Sequence, residues 1–253
     1  MSELERAWEF ESALQDRFAR TRERFELGTA LFNDALRRVY DANFVRFERG
    51  FDQLTGEQVE AAANELQASL RHRKVVIPDE RAGARVAEEL KARGWRYYTL
   101  VTMAYRASEA PGGAERRAVE EVDPSELRHA RERALDDGQR DAEARRQIIA
   151  FTELMAAASP TRLFAARADR DEIGSFCALF HGDGIGQVDE VTTLQQYRRR
   201  GLAAAVVSAA VRASVESGDE LTFLVADEGD WPMSWYARLG FEPIGRRYEL
   251  LRA

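Results

Sequence analysis

Hydrophobic positions recur with two different periods along the 253-residue chain. A helical period of three to four residues marks long stretches, and these predict helices over 4–38, 55–70, 80–94, 123–137, 141–157 and 201–217. Compact runs of β-branched and aromatic residues mark others, which predict strands over 43–48, 74–79, 95–106 and 220–227, and a last strand over 242–252. Between them, 161–194 predicts three consecutive strands joined by "DRDE" and "HGDG" turns, and 231–240 predicts a short helix.

Turn and capping residues support this order of elements. Thr55 and Gln58 have the spacing of a capping box, and Gly94 stands where a helix would end. The stretch from Ser108 to Ala114 combines a proline with two glycines and is the predicted domain boundary. The two segments echo each other, because "KARGW" (91–95) and "YARLGF" (236–241) both precede a terminal strand. We therefore expect a duplicated architecture whose first copy has diverged.

The composition indicates a soluble globular protein. Hydrophobic residues make up 45% of the chain and charged residues 32%, and no apolar run is long enough for a transmembrane helix. The charged, amphipathic N-terminus does not resemble a signal peptide. Cys177 is the only cysteine, so an intrachain disulfide is excluded. We expect a cytoplasmic protein.

The charge restricts the partners that we expect. A net charge of −7 favours neither nucleic acid nor an anionic membrane, and it favours a cationic partner such as an amine. The three histidines are His72, His129 and His181, and they lie far apart in the sequence. Without paired histidines or cysteines, we expect no zinc site.

One stretch, "QYRRRGLAAAVVSAAVRASVESG" (196–218), brings three arginines to the start of a predicted helix. The N-terminus of a helix is already electropositive, so extra cations there are unfavourable unless an anion shares the site. Phosphate groups bind such ends readily, and glycine at Gly201 lets the backbone approach them closely. A solvated basic turn is the alternative interpretation.

In this context the chain resembles the GNAT superfamily of N-acetyltransferases. The acetyl-CoA signature of that family is Gln or Arg, two residues, Gly, one residue, then Gly or Ala. The matching residues here are Arg198, Arg199, Arg200, Gly201, Leu202 and Ala203. The lead-in "VTTLQQYRRRGLA" and the later "WYARLGF" are also similar to the family, although Gln195 replaces a common proline and Arg199 a common glycine.

The resemblance implies an α/β (α+β) fold: mixed, mostly antiparallel sheets flanked by helices, in two GNAT-like domains of which the N-terminal one is incomplete. It implies a degenerate GNAT-like or accessory domain over 1–110 and a catalytic acetyltransferase domain over 111–253. Backbone amides from Arg199 to Ala203 would hold the pyrophosphate of acetyl-CoA. The strand from Val191 to Leu194, including Thr193, would run beside its pantetheine arm. Asp230 stands roughly where many relatives carry an asparagine near the cofactor; contact with the amine substrate, or no role, is the alternative.

Acetyl transfer needs a base for the amine, a donor for the oxyanion and an acid for the thiolate. The resemblance makes Tyr236 the candidate acid, and a core aromatic is the alternative. Glu190 is the candidate base on the strand before the turn, and an exposed strand end is the alternative. The oxyanion donor is expected to be a backbone N–H near Thr193 or Leu194. We expect Cys177 to be a buried structural residue.

These patterns predict an acetyl-CoA-dependent N-acetyltransferase that acts directly on a primary amine. The sequence does not identify the acceptor; we expect a small molecule, and a protein N-terminus is the alternative. A non-catalytic acyl-CoA sensor or scaffold is the alternative, and a longer acyl donor stays open. Dimers are frequent in the family, so a homodimer is also among the expectations.

Overall fold

The structure is a computed structural model that describes residues 1–107, 119–136, 141–169, 172–230 and 232–253. It divides into two compact units made of interleaved segments. The N-terminal unit contains Ser2–Thr102, Val225–Met233 and Pro243–Ala253, and the central unit contains Met103–Leu224 and Ser234–Glu242. The predicted boundary at 108–114 lies outside the described residues. The assignment of 1–110 as accessory and 111–253 as catalytic stays a prediction.

The described helices are α1 (Glu3–Phe18), α2 (Gly56–Leu66), α3 (Glu80–Lys91), α4 (Pro124–Asp136), α5 (Ala142–Ala158), α6 (Leu202–Glu216) and α7 (Pro232–Arg238). The described strands are β1 (Thr21–Phe25), β2 (Gly28–Phe32), β3 (Phe44–Phe47), β4 (Arg73–Ile77), β5 (Arg96–Tyr105), β6 (Val119–Glu121), β7 (Thr161–Arg167), β8 (Ile173–Gly182), β9 (Ile185–Thr193), β10 (Leu221–Asp227) and β11 (Phe241–Arg252). None of the described helices is long and apolar enough to cross a membrane.

The N-terminal unit is built on a sheet in which β1, β2 and β3 form an antiparallel meander, and β4 then runs parallel to β3. The C-terminal strand β11 pairs antiparallel with β4, with Tyr248 opposite Ile77. Its buried core contains Phe47, Leu54 and Leu90. The end of the chain therefore completes the sheet of the unit that contains its beginning.

The central unit repeats this topology. Strands β7, β8 and β9 form an antiparallel meander, and β10 runs parallel to β9. A helix joins the two parallel strands in each unit, α2 in one and α6 in the other. The glycines of the sequence echo share a conformation, because Gly94 has φ 84° and Gly240 has φ 97° after α3 and α7. The predicted duplication and the mostly antiparallel, helix-flanked fold are confirmed.

The predicted helix over 4–38 is wrong beyond Phe18. Helix α1 ends there, and the chain continues as the β1–β2 hairpin. Arg and Glu in "TRERF" are good helix formers, but pairing with the neighbouring strand overrides that propensity. Gly28 carries the missed signal, because a Cβ atom there would lie 2.0 Å from the Arg46 carbonyl oxygen on β3. The other predicted helices and strands are present with boundaries shifted by a few residues, and β6 is an additional strand that the pattern did not predict.

Candidate functional site

The turn between β9 and α6 is a backbone cradle. After Leu194 and one 3-10 turn at Gln195–Tyr197, Arg199 adopts φ 59° and Gly201 adopts φ 79°. No side chain of the described residues caps α6 at Gly201, so the first amides of this 15-residue helix point outward without a capping acceptor. The space at Gly201 is open, because an added Cβ would meet no atom of the described residues within 4 Å. An anion can approach these amides closely.

Three exposed arginines surround the cradle. Arg198 Nε donates to the Thr193 carbonyl over 3.4 Å, which ties its side chain back to β9. Arg200 Nη1 donates to Asp169 Oδ2 over 2.9 Å, and its guanidinium lies 5.2 Å from the centre of the Tyr197 ring. An exposed ion pair of this kind is weak, so Arg200 can exchange Asp169 for a phosphate at low cost.

The start of α6 is anchored beneath the cradle. Leu202 is fully buried, whereas Ala203 is partly exposed. A Cβ atom on Gly174 of β8 would lie 2.8 Å from Leu202 Cδ1 and 3.2 Å from the Tyr197 ring, so glycine permits this close packing. The small residue at Ala203 leaves the first turn of the helix uncovered. This packing fixes the amides rigidly relative to β8.

Strand β9 leads into the cradle and separates from β10 before it. The parallel register joins Ile185–Gln187 to Leu221–Phe223 and ends there. The later part of β9 keeps only its pairing with β8, where Thr193 lies opposite Ser175, and Thr193 Oγ1 lies 2.9 Å from Ser175 Oγ. Val191 falls in the irregular part of this register, between Asp189 and Thr192. The Leu194 amide donates to the Gly174 carbonyl over 2.9 Å. The Leu194 N–H is therefore already used in a hydrogen bond within the sheet. Of the two predicted oxyanion donors, Thr193 and Leu194, this leaves the N–H of Thr193.

Glu190 marks a kink in β9. Its φ is 53°, and the register with β8 shifts between Phe176 and Ala178 at this point. Such a bulge redirects the strand and the side chains beyond it. The Glu190 amide donates to Asp189 Oδ1 over 2.6 Å, so a neighbouring side chain replaces a ladder hydrogen bond. The irregularity thus falls on the predicted base.

Arg131 of α4 binds the Glu190 carboxylate with two nitrogens. Nε donates to Oε1 over 2.7 Å and Nη2 donates to Oε2 over 2.6 Å. The Arg131 side chain is 3% exposed, so the pair is sheltered from solvent. Sequence reasoning missed Arg131, because nothing in "SELRHARER" distinguishes it from the other arginines of an amphipathic helix. Its partner lies 59 residues away.

Tyr236 lies in an aromatic cluster on α7. Its ring centre is 4.9 Å from that of Trp235 and 6.0 Å from that of Phe241, and the residue is 8% exposed. Burial raises the pKa of the phenol well above its usual value, and the charge of Asp189 raises this pKa further. The structure thus gives the predicted acid both the packing of a core aromatic and a strongly retained proton.

The surroundings of Cys177 do not suit a nucleophile. It is fully buried, and its Sγ donates to the Val206 carbonyl of α6 over 3.4 Å. Burial raises the pKa of the thiol, and the charges of Glu190 and Asp189 raise this pKa further. Since the thiolate is the nucleophile, these surroundings fit a structural cysteine.

Asp230 belongs to the N-terminal unit, in the segment Val225–Met233. It follows β10, and its amide donates to the Asp227 carbonyl over 3.2 Å. It lines an open cavity of about 500 Å³ together with two tyrosines, two further carboxylates and two small residues. These other lining residues are Tyr97, Tyr98, Thr99, Asp227, Glu228 and Gly229. The predicted contact of Asp230 with the cofactor stays a prediction.

The equivalent helix of the N-terminal unit starts differently. At the N-terminus of α2, Thr55 and Gln58 form the predicted capping box. The Gly56 amide donates to Glu89 Oε2 over 2.6 Å. Carboxylate and cap side chains thus already satisfy this helix end, in contrast to the exposed cradle of α6.

Most of the residues that match a known family model lie in the central unit. Residues 168–250 match the family model described as FR47-like protein. A search of curated proteins finds no match to this chain.

Solved structures show the same fold over nearly the whole chain. A functionally unknown conserved protein from Staphylococcus epidermidis is 14% identical, with 91% of this chain and 92% of that chain covered and a TM-score of 0.70. A GCN5-related N-acetyltransferase from Kribbella flavida is 20% identical, with 96% and 93% covered and a TM-score of 0.61. A tandem GNAT protein from the clavulanic acid biosynthesis pathway is 15% identical, with 89% and 78% covered and a TM-score of 0.57.

The duplicated topology, the uncapped turn before α6 and these neighbours agree with one another. The chain has the GNAT fold in its tandem form, and the predicted resemblance to the GNAT superfamily is confirmed.

Proposed function

We propose that the protein is an acetyl-CoA-dependent N-acetyltransferase that transfers the acetyl group directly to a primary amine. One observation carries this proposal: the uncapped N-terminus of α6 stands at the end of β9, beyond the point where β9 separates from β10. An exposed set of helix amides that follows three arginines in the same turn suits a pyrophosphate, and a strand edge that has separated from β10 suits an extended arm with amide groups.

The residues present fit this donor. The amides from Arg199 to Ala203 would bind the pyrophosphate, and the space around a Cβ atom added at Gly201, free of described atoms within 4 Å, supports its close approach. Arg198 and Arg200 would add charge-assisted hydrogen bonds to phosphate oxygens. Val191, Thr193 and Leu194 would line the arm, and Asp230 stays a proposed contact. The bound donor supplies an activated acyl carbon on a thiol leaving group.

Tyr236 is the proposed acid. The departing thiolate needs a proton, and a phenol that is retained in its neutral form by burial can donate one. Its proton is then replaced from solvent. A direct transfer needs no acylated side chain, which agrees with the buried, protonated state of Cys177.

Glu190 is the proposed base for the amine. Two of its lone pairs already accept from Arg131, and a carboxylate has about four acceptor sites. The remaining sites can take the amine proton directly or through one water molecule. Asp189 is its neighbour on the strand and adds a second negative charge, which favours the approach of a cationic amine.

The acceptor that we propose is a small molecule with a primary amine. The net charge of −7 supports a cationic substrate over nucleic acid or an anionic membrane surface. Acetyl-CoA as donor and a single, buried cysteine favour a cytoplasmic location. A homodimer stays part of the proposal.

Release of CoA thiol from acetyl-CoA in the presence of a panel of primary amines tests this function. We expect amine-dependent turnover with a ternary-complex rate law, and we expect Tyr236→Phe to lose turnover while it keeps its affinity for CoA. Ping-pong kinetics with an acetylated enzyme would count against direct transfer. Tight CoA binding without turnover for any amine would favour the non-catalytic sensor instead.

A further inference from the structure

The ion pair between Arg131 and Glu190 combines a two-point geometry with burial. Both nitrogens on one edge of the guanidinium meet both carboxylate oxygens, at 2.7 Å and 2.6 Å. Arg131 is 3% exposed and Glu190 is 18% exposed. The planar fork of arginine fixes the carboxylate in position and in orientation.

Glu190 is also where β9 has its strained backbone. A residue other than glycine with φ 53° in mid-strand costs free energy, and such a conformation persists only where the surroundings determine it. The contacts that hold Glu190 are the fork of Arg131 on its side chain and Asp189 Oδ1 on its amide. Of these two, only Arg131 comes from another element, so it ties the kink to α4.

Arg131 itself is inaccessible to a substrate. Its third nitrogen, Nη1, is buried and has no hydrogen-bond partner among the described residues. Burial of a guanidinium with an unsatisfied donor costs desolvation free energy. An apolar side chain would fill the same space at a lower free-energy cost. Its contribution must therefore act through the carboxylate that it holds.

We propose that Arg131 is a positioning residue of the acyl-transfer site, which clamps Glu190 and thereby holds the kink that directs β9 past β10. This inference rests on the proposed function. The kink lies between the last parallel pair, Gln187 with Phe223, and the segment from Val191 to Leu194 that would line the donor. A small change in direction at Glu190 moves this whole segment relative to Tyr236.

Hydrogen exchange measures the clamp without any need for turnover. In Arg131→Met, we expect amides of residues 188–194 to exchange at least about tenfold faster, while amides of α6 keep their protection. Arg128→Met is the matched control on the same helix, because Arg128 pairs with Glu153 and is 55% exposed. Unchanged exchange over 188–194 in Arg131→Met would overturn the clamp, whatever the activity.

Kinetics then connect the clamp to the reaction. We expect Arg131→Met to lower kcat by about tenfold to a hundredfold, because a misplaced reacting group costs this much, with little change in the Kd of CoA. Arg131→Lys keeps the charge and should recover part of the rate. A normal kcat in Arg131→Met with faster exchange would overturn the positioning role and leave a purely structural pair.

Glycine at the kink supplies the decisive comparison. Glu190→Gly removes both the strain and the carboxylate, so the further change Arg131→Met should no longer accelerate exchange over 188–194. An equal acceleration in both backgrounds would overturn the clamp. If the wild-type protein turns over no amine, the proposed function fails, and the exchange experiment still decides whether Arg131 holds the kink.

Discussion

The backbone amide of Gly56 donates to Glu89 Oε2 over 2.6 Å, so a side chain of the protein binds the N-terminus of α2. The corresponding helix of the central unit, α6, starts at Gly201, and no side chain in the described part of the chain caps it. The two repeats therefore share a topology and differ in whether the helix end is available to an external anion. Under the proposed function, this contrast predicts that CoA binds at a single cradle per chain.

The first prediction concerns Glu89. Glu89→Ala removes a charge-assisted hydrogen bond at a helix N-terminus, and we expect the free energy of unfolding to fall by about 1 kcal/mol. Denaturant unfolding measures this change, with Glu65→Ala on the exposed face of α2 as control. Calorimetry should give one acetyl-CoA per chain before and after the change. Two sites per chain in the wild type would contradict the assignment.

The second prediction concerns Arg199, whose φ of 59° suits glycine. The left-handed conformation costs a residue other than glycine roughly 1–2 kcal/mol, and glycine removes this cost. The greater flexibility of glycine in the unfolded chain offsets about half of the stability gained in this way. We expect Arg199→Gly to stabilise the fold by about 0.5 kcal/mol in thermal or denaturant unfolding, with at most a few-fold loss of CoA affinity.

Arg199→Ala is the matched control, because it removes the same charge and keeps the strain. It should lose a similar amount of CoA affinity without the gain in stability. A clear destabilisation by glycine would show that the conformation at Arg199 is supported by its side chain.

The third prediction concerns Gly186 on β9. A Cβ atom there would lie 2.1 Å from Ser214 Oγ, which donates to Asp219 over 2.6 Å. We expect Gly186→Ala to destabilise the protein by roughly 1–3 kcal/mol, as measured by denaturant unfolding. In the control Gly184→Ala, the backbone is strained at φ 71° but no atom lies within 4 Å.

Removal of the clashing hydroxyl separates the causes. If the clash sets the cost, Ser214→Ala should partly rescue Gly186→Ala and should not rescue Gly184→Ala. A loss in Gly186→Ala no greater than in Gly184→Ala would contradict the close contact.

The fourth prediction concerns pH and Tyr236. Burial raises the pKa of this phenol, so the folded protein favours the neutral form. The resulting stabilisation is complete below the usual tyrosine pKa of about 10 and is lost as the pH rises beyond it. In an absorbance titration, wild type and Tyr236→Phe should form the same amount of tyrosinate near pH ~10. A smaller amplitude in Tyr236→Phe would show that Tyr236 titrates normally.

Local sequence signals predicted the cradle and most of the elements, because their physical causes are local. The residue before α6 has a left-handed backbone conformation, which favours glycine at Gly201. Thr55 and Gln58 form a capping box within four residues. The echo between "KARG" and "ARLG" likewise reflects a glycine with positive φ after each helix.

The remaining features depend on partners that are distant in sequence. The β1–β2 hairpin exists because β2 pairs with β3, and Gly28 was its only trace in the sequence. The pairing of β11 with β4 joins residues 171 to 179 positions apart, from Tyr248 with Ile77 to Arg252 with Arg73. Helical or strand periodicity carries no information on such a pairing. The Arg131–Glu190 pair is invisible for the same reason, so the base was predicted without its partner.

Titration of acetyl-CoA and of free CoA into four proteins tests the central claim most directly. Gly201→Glu places a negative charge in the cradle, and Gly201→Gln places a neutral side chain of the same size there. Gly218→Glu is the control at the other end of α6, because Gly218 has φ 81° against 79° for Gly201. At both glycines, an added Cβ has no atom within 4 Å in the ranges that the structure describes.

We predict micromolar binding to the wild type and to Gly218→Glu, at least about a hundredfold weaker binding to Gly201→Glu, and an intermediate affinity for Gly201→Gln. A folded wild-type protein that binds neither ligand would contradict the assignment of the cradle, as would equal affinities for Gly201→Glu and Gly218→Glu.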